Sequence, residues 1–251
     1  MTAEEHDAGP VERILAAADG GAAIAPITDD DAAFDVERAY RVLETLHARR
    51  VAQGWRPVGR KIGFTNRTIW PRYGVFAPIW APVWSSTLTL LDGTEAEVSL
   101  AGLVQPRLEP EIVFGFAAAP RAGMSEAELI GCLAWVAHGF EIVHTHFDGW
   151  RFTAADTVAD FALHGRLLVG PRVPVSRFGR LGEELAAMPM ALRRDGAQVD
   201  SGTGANVLDG PLTALKLWLE AMARDTPWWT VRPGDLVTTG TFTDAWPVLP
   251  G

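Results

Sequence analysis

Two strand-like segments place acids where a buried strand ordinarily carries core residues. Arg107-Leu-Glu-Pro-Glu-Ile-Val-Phe-Gly-Phe116 holds Glu109 and Glu111, and Phe140-Glu-Ile-Val-His-Thr-His-Phe147 holds Glu141. The branched and aromatic residues around the acids favour strands, with turn residues beyond them. Strand side chains alternate faces, so Glu109 and Glu111 point the same way. Two carboxylates directed into one space repel each other unless a proton or a cation lies between them. With Glu141 on a neighbouring strand, the three form an all-oxygen set suited to Mg²⁺ or Mn²⁺. Solvated acids on outward strand faces have the same spacing, so spacing alone leaves both readings open.

Charge and composition narrow the classes. The chain has 22 Lys and Arg against 31 Asp and Glu, a net charge of −9, and no basic run beyond pairs such as Arg49-Arg50 and Arg193-Arg194. That pattern argues against a nucleic-acid or anionic-membrane surface. It is compatible with an anionic small-molecule substrate, because a bound divalent cation reverses the local sign. The single cysteine, Cys132, sits in an apolar stretch and reads as a buried, inert thiol; a disulfide framework is excluded. The start of the chain is acidic and lacks the basic-then-apolar order of a signal peptide, and no apolar run approaches membrane-spanning length. The expectation is a cytoplasmic protein.

The expected organisation is a helical N-terminal region over 1–54 and a β-rich region over 55–251, together one continuous domain. Helices are expected from Pro10 through Ala18 and from Val36 to Ala52, the latter stopped by Gly54. Strands are expected over Arg56–Thr65, then Thr87–Leu91 and Glu95–Leu100 around an Asp92-Gly93 turn. Ser125-Glu-Ala-Glu128 matches a capping box and predicts a helix through Ala137. Asp156–His164 is expected to be helical and Arg166–Val175 a strand. A hairpin about Asp195-Gly196, a helix over Pro211–Ala223 and a last strand over Leu236–Phe242 complete the chain. Gly202-Thr-Gly204 is read as a plain loop rather than a phosphate cradle.

In this order the motifs resemble the 2-keto-4-pentenoate hydratase / 4-oxalocrotonate decarboxylase family of the fumarylacetoacetase superfamily. The resemblance runs through Gly59-Arg-Lys-Ile-Gly-Phe-Thr65, Val104-Gln-Pro-Arg-Leu-Glu-Pro-Glu111 and Phe140-Glu-Ile-Val143. It continues through Asp156-Thr-Val-Ala-Asp160 and Gly202 to Leu208 to Pro233-Gly-Asp-Leu-Val-Thr-Thr-Gly-Thr-Phe-Thr243. It implies an α+β fold: a mixed β-roll core of the fumarylacetoacetase C-terminal type wrapped by helices. It also implies a homo-oligomer, a divalent metal (Mg²⁺ or Mn²⁺) on Glu109, Glu111 and Glu141, and a small-molecule 2-oxo acid substrate. Some pocket positions depart from the family. His144-Thr-His146 stands where Asp-Ser-Arg is usual, and Asp160-Phe-Ala-Leu-His-Gly165 replaces Asp-Asn-Ala-Ser-Ser-Gly. The Trp-rich stretch from Trp70 to Trp84 differs from a segment that usually carries an acid.

The resemblance makes Lys61 a partner for a substrate carboxylate or enolate and a proton carrier; a solvated strand lysine is the plainer reading of spacing alone. His164 takes a position that the family fills with a small hydroxyl residue, and is a candidate acid–base group; a helix-end histidine bonding a backbone carbonyl is the plainer reading. Gly240, Thr241 and Thr243 are candidates to hold a substrate carboxylate through amides and hydroxyls, although threonines are also simply good strand formers. His144 and His146 have the opposite parity to Glu141 and are expected to pack behind the site rather than to bind zinc. Within the matched motifs no second basic cluster for a distal carboxylate stands out, and Arg107 reads as a partner to the acids. The expected reaction is hydration of a 2-hydroxy-2,4-dienoate to a 4-hydroxy-2-oxo acid. Alternatives are decarboxylation of a 2-oxo diacid, hydrolysis of an acylpyruvate, and a non-catalytic metal- or ligand-binding member.

Overall fold

The computed structural model describes residues 3–250. The chain opens with α1 (Ala3–Gly20), α2 (Ile27–Asp30) and α3 (Val36–Ala52). Asp35 caps α3 by accepting the Arg38 amide, and Tyr40, Leu43 and Leu46 form its buried stripe. The first helix begins before Pro10, the expected start, and runs through it. A proline inside a helix removes one ladder bond, but Val11, Ile14 and Leu15 anchor this face in the core.

The β-rich part follows as β1 (Pro57–Gly63), α4 (Trp70–Tyr73), β2 (Ile79–Trp84), β3 (Leu88–Leu90), β4 (Arg107–Phe116), α5 (Glu126–Cys132) and β5 (Leu133–Val143). Next come α6 (Ala154–Ala159), β6 (His164–Val169), β7 (Val173–Pro174), α7 (Leu181–Ala187), and the hairpin of β8 (Pro189–Arg194) with β9 (Ala197–Thr203). The chain ends with α8 (Pro211–Asp225), β10 (Leu236–Thr241) and β11 (Trp246–Pro247). The main sheet is mixed and curled, in the order β2-β1-β10-β4-β5-β6-β3, with β11 also paired to β4 and β7 to β5. The fold is therefore α+β. Helices cover the sheet, and one cluster joins Ile14 and Leu43 of the N-terminal helices to Trp80, Phe114, Trp218 and Phe242.

Two expectations are corrected. The segment 95–100 forms no strand, and most of it is exposed. β3 pairs in parallel with β6, so the Asp92-Gly93 turn does not return the chain onto β3 as a hairpin would. The capping box at Ser125 is present, but α5 ends at Cys132 rather than Ala137. From Leu133 the chain pairs with β4 almost continuously, so sheet pairing overrides helix propensity there. Gly115 permits this pairing: a Cβ there would meet the Trp135 indole at 2.0 Å.

Asp156 ties the first region to the sheet. Buried on α6, it accepts the Thr28 amide and hydroxyl as well as those of Thr153. No helix among the described residues is long and apolar enough to cross a membrane.

Candidate metal centre and substrate cavity

Four adjacent strands, β1, β10, β4 and β5, build the site. Register sets Glu109 opposite Glu141, Thr241 opposite Glu111, and Lys61 opposite Thr238. The three glutamates each bring a carboxylate oxygen within 4.8 Å of the others. Glu111 and Glu141 are fully buried, while Glu109 is partly open to the cavity. Strand parity and cross-strand register together produce this convergence.

Each acid is differently held. One oxygen of Glu111 accepts the Thr238 hydroxyl and, at 2.8 Å, the Gly240 amide. Its other oxygen is buried without a hydrogen-bond partner. Glu141 receives His164 Nδ1 at 2.7 Å on one oxygen and faces Lys61 Nζ at 3.2 Å on the other. Burial pushes the Glu109 and Glu111 carboxyls up to about 8, with repulsion from the neighbouring acids adding to it and Lys61 opposing it. Burial likewise raises Glu141, against the pull of Lys61. Lys61 is itself raised: burial opposes its charge, but the three acids outweigh burial.

These observations fit a hard divalent cation. Three carboxylates and one ammonium carry a formal charge of −2, which one divalent ion neutralises. The bare oxygen of Glu111 has no partner that would compete for it. Oxygen ligands without sulfur or nitrogen suit Mg²⁺, Mn²⁺ or Ca²⁺. His144 and His146 do not join the cluster. His146 Nδ1 bonds Asp160 at 2.6 Å, and the two rings pack edge to face.

A cavity of about 300 Å³ opens over Glu109 and Lys61. Phe64, Ile69, Trp150, Phe152, Leu163 and Trp246 wall it with apolar surface. Lys61 Nζ reaches it while donating to the Ala162 carbonyl at 2.8 Å. Arg72 and Arg107 also line it, and the Arg107 guanidinium stacks on Trp150 at 3.9 Å. Arg72, carried by the short helix α4, lies outside the matched motifs, in the segment that departs from the family pattern, and adds a basic group to the cavity wall.

Four expected site residues sit differently from their assigned roles. His164 does not line the main cavity; it lines a smaller, separate one, with His144, His146 and Arg166. Its Nδ1 holds Glu141 and its Nε2 lies 2.8 Å from Thr87 Oγ1. Burial, with Lys61 and Arg166 nearby, lowers its pKa to about 3, so it is neutral near pH 7. Gly240 turns its amide to Glu111 rather than to the cavity. Its φ of 97° lies within a register shift of β10, and a Cβ there would meet Thr65 Oγ1 at 1.8 Å. Thr241 and Thr243 do line the cavity, but their hydroxyls donate to the carbonyls of Thr243 and Asp244 at 3.0 Å each. Thr238 was missed from sequence; its parity with Gly240 on a short Thr-rich strand was the available signal.

The His164 geometry gives a test. His164→Ala removes a donor from a buried ligand oxygen, and losing such an outer partner weakens metal binding about 10–100-fold. Titration calorimetry with Mn²⁺ should show that loss. Unchanged metal affinity with lost turnover would return His164 to an acid–base role.

A mixed, curled sheet with an acid-lined floor and an apolar-walled cavity describes an α+β protein with a candidate cation site beneath a cavity of small-molecule size. No family model matches the chain. A 4-oxalocrotonate decarboxylase from a Pseudomonas species is 30% identical over 244 residues, covering 96% of this chain and 89% of its own length. A 2-keto-4-pentenoate hydratase of Burkholderia vietnamiensis is 31% identical over 242 residues, covering 96% and 88%. The solved 4-oxalocrotonate decarboxylase of Pseudomonas putida G7, complexed with magnesium and adipate, superposes with a TM-score of 0.89 at 24% identity, covering 100% of this chain and 92% of that one. The chain belongs to the 2-keto-4-pentenoate hydratase / 4-oxalocrotonate decarboxylase family.

Proposed function

We propose that this protein is a divalent-metal-dependent hydro-lyase that adds water to a 2-hydroxy-2,4-dienoate, giving a 4-hydroxy-2-oxo acid. The observation that carries the reading is the buried convergence of Glu109, Glu111 and Glu141 beside Lys61 at the floor of an apolar-walled cavity. Curated hydratases among its relatives support the reaction class. Glu109, Glu111 and Glu141 would hold Mg²⁺ or Mn²⁺, which when bound supplies Lewis-acid stabilisation of negative charge on the substrate's 2-oxygen.

The chain's own residues do the rest. Lys61 presents a fixed ammonium to the cavity and answers the substrate's negative charge at low dielectric. As an acid it can also deliver a proton during ketonisation. The lining hydroxyls of Thr241 and Thr243 give up their protons to carbonyls, so they offer lone pairs to a substrate hydroxyl rather than donors to a carboxylate. Phe64, Phe152 and Leu163 limit water around the reacting carbons. We read the curled sheet as the β-roll of the fumarylacetoacetase type, and 1–54 with 55–251 as one domain, supported by the shared core cluster. The family resemblance further supports a cytoplasmic homo-oligomer.

A second reading is decarboxylation of a 2-oxo diacid, favoured by the two arginines, Arg72 and Arg107, on the cavity wall. Parallel assays with a 2-hydroxydienoate and a 2-oxo diacid, following ultraviolet absorbance and CO₂ release with and without EDTA, decide between them. EDTA-sensitive loss of the dienoate, with formation of the hydroxy acid, is the expected result. Faster CO₂ release from the diacid would establish the decarboxylase instead.

A further inference from the structure

Adding water across a carbon–carbon double bond needs a group that takes a proton from the water, and that group must itself be reachable by water. The three clustered glutamates are the ones that would hold the cation, with Glu141 also facing Lys61. Lys61 Nζ lies against two acceptors, Ala162 O and Glu141, and so is placed as a donor. Among the described residues that line the cavity, one further carboxylate remains, Asp244, and no histidine or cysteine accompanies it.

Asp244 follows β10 and is held firmly by its backbone. Its amide donates to Asp200 Oδ2 at 3.1 Å, and the Trp246 indole N–H donates to the same oxygen at 2.8 Å. Its carbonyl accepts the Thr243 hydroxyl at 3.0 Å. Asp200, reaching across from β9, thus pins both ends of the 244–246 turn to the separate hairpin. The Asp244 carboxylate itself is exposed, and among the described residues it engages no hydrogen-bond donor and no cation. A turn fastened on every side but the carboxylate leaves a wet, unpaired base at the cavity rim.

We propose that Asp244 is the general base for water addition, with Asp200 as the residue that positions it. The proposal rests on the hydratase reading. After ketonisation places the double bond between C3 and C4, Asp244 accepts a proton from water as the water oxygen bonds to C4. The C3=C4 electron pair shifts toward the C2 oxygen, and a proton is then returned to C3, so water is added overall with no net change at Asp244.

The test compares wild type with Asp244→Asn and Asp244→Glu. It follows dienoate absorbance and hydroxy-acid formation by proton NMR, with Mn²⁺ binding measured by calorimetry. Asp244→Asn should bind Mn²⁺ as wild type does and still ketonise the dienoate. It should form hydroxy acid roughly 10²–10⁴-fold more slowly, the usual range for loss of an acid–base group. Asp244→Glu should recover part of that rate. Hydroxy acid made at the wild-type rate by Asp244→Asn would overturn the assignment alone, as would parallel loss of Mn²⁺ binding. A wild-type protein that hydrates no dienoate would overturn the hydratase reading, and the role of Asp244 with it.

Discussion

Glu111→Gln should abolish metal-dependent turnover and at the same time stabilise the metal-free protein at pH 8. The two effects share one cause. A neutral amide oxygen is a poor ligand for a hard cation, and Lewis-acid stabilisation supplies several kcal/mol, so turnover should fall by about three orders of magnitude or more. The substituted side chain keeps an oxygen to accept from Thr238 and Gly240, where Glu111 accepts now. Its new N–H₂ group faces the remaining acids and donates where Glu111 repels.

The pH dependence has a definite sign. The Glu109 and Glu111 carboxyls are pushed up to about 8 from an ordinary 4.5, chiefly by burial. A group raised in the folded state contributes stability that is present at low pH and lost as pH rises through the folded value. The metal-free wild type should therefore lose thermal stability between about pH 5 and pH 8, and Glu111→Gln should lose less of it. Mn²⁺ should raise the wild-type melting temperature more at pH 8 than at pH 6, because it replaces protons at the lower pH. Melting curves at both pH values, with and without Mn²⁺, check each part. A metal-free variant less stable than wild type at pH 8 would show that Glu111 serves packing rather than the cation.

Much of this site was legible because period-two alternation is a local property. Glu109 and Glu111 share a face by spacing; His144 and His146 stay out of the acid cluster, but β5 ends at Val143, so strand parity is not what places them. The pairing of Glu109 with Glu141 is a matter of register, which depends on the tertiary fold and entered from the sequence only through the resemblance. The role of Gly240 was hidden for the same reason: a register shift in β10 redirects its amide to Glu111. His164 was misplaced because the reversal at residues 161–163, where Phe161, Ala162 and Leu163 all have positive φ, turns the next side chain behind Glu141. Arg72 and Asp244 reach the cavity from α4 and a C-terminal turn, and no periodicity links such positions to a distant strand. The capping box at Ser125 was visible, but the end of α5 was not, since β4 decides where the helix yields to a strand.

Lys61→Ala should lower turnover as Glu111→Gln does, but with the opposite effect on metal-free stability and with metal binding retained. The ammonium is buried, 3.2 Å from Glu141, and all three acids raise its pKa against the cost of burial. Removing one partner of a buried ion pair leaves uncompensated charge, at a cost of about 3–5 kcal/mol. The metal-free variant should therefore melt well below wild type at pH 8. The same loss takes the formal charge of the four-residue cluster from −2 to −3, which attracts a divalent cation at least as strongly. Mn²⁺ should bind the variant with undiminished affinity and recover most of its stability. Turnover should still fall, by roughly 10²–10⁴-fold, because the cavity has lost the donor that answers the substrate's charge and supplies a proton. Metal-free stability and metal affinity thus respond oppositely to the two substitutions, while turnover falls in both. A Lys61→Ala protein that folds with Mn²⁺ and turns over normally would show that the lysine only balances the acids. One that no longer binds Mn²⁺ would show instead that it holds the ligands in place.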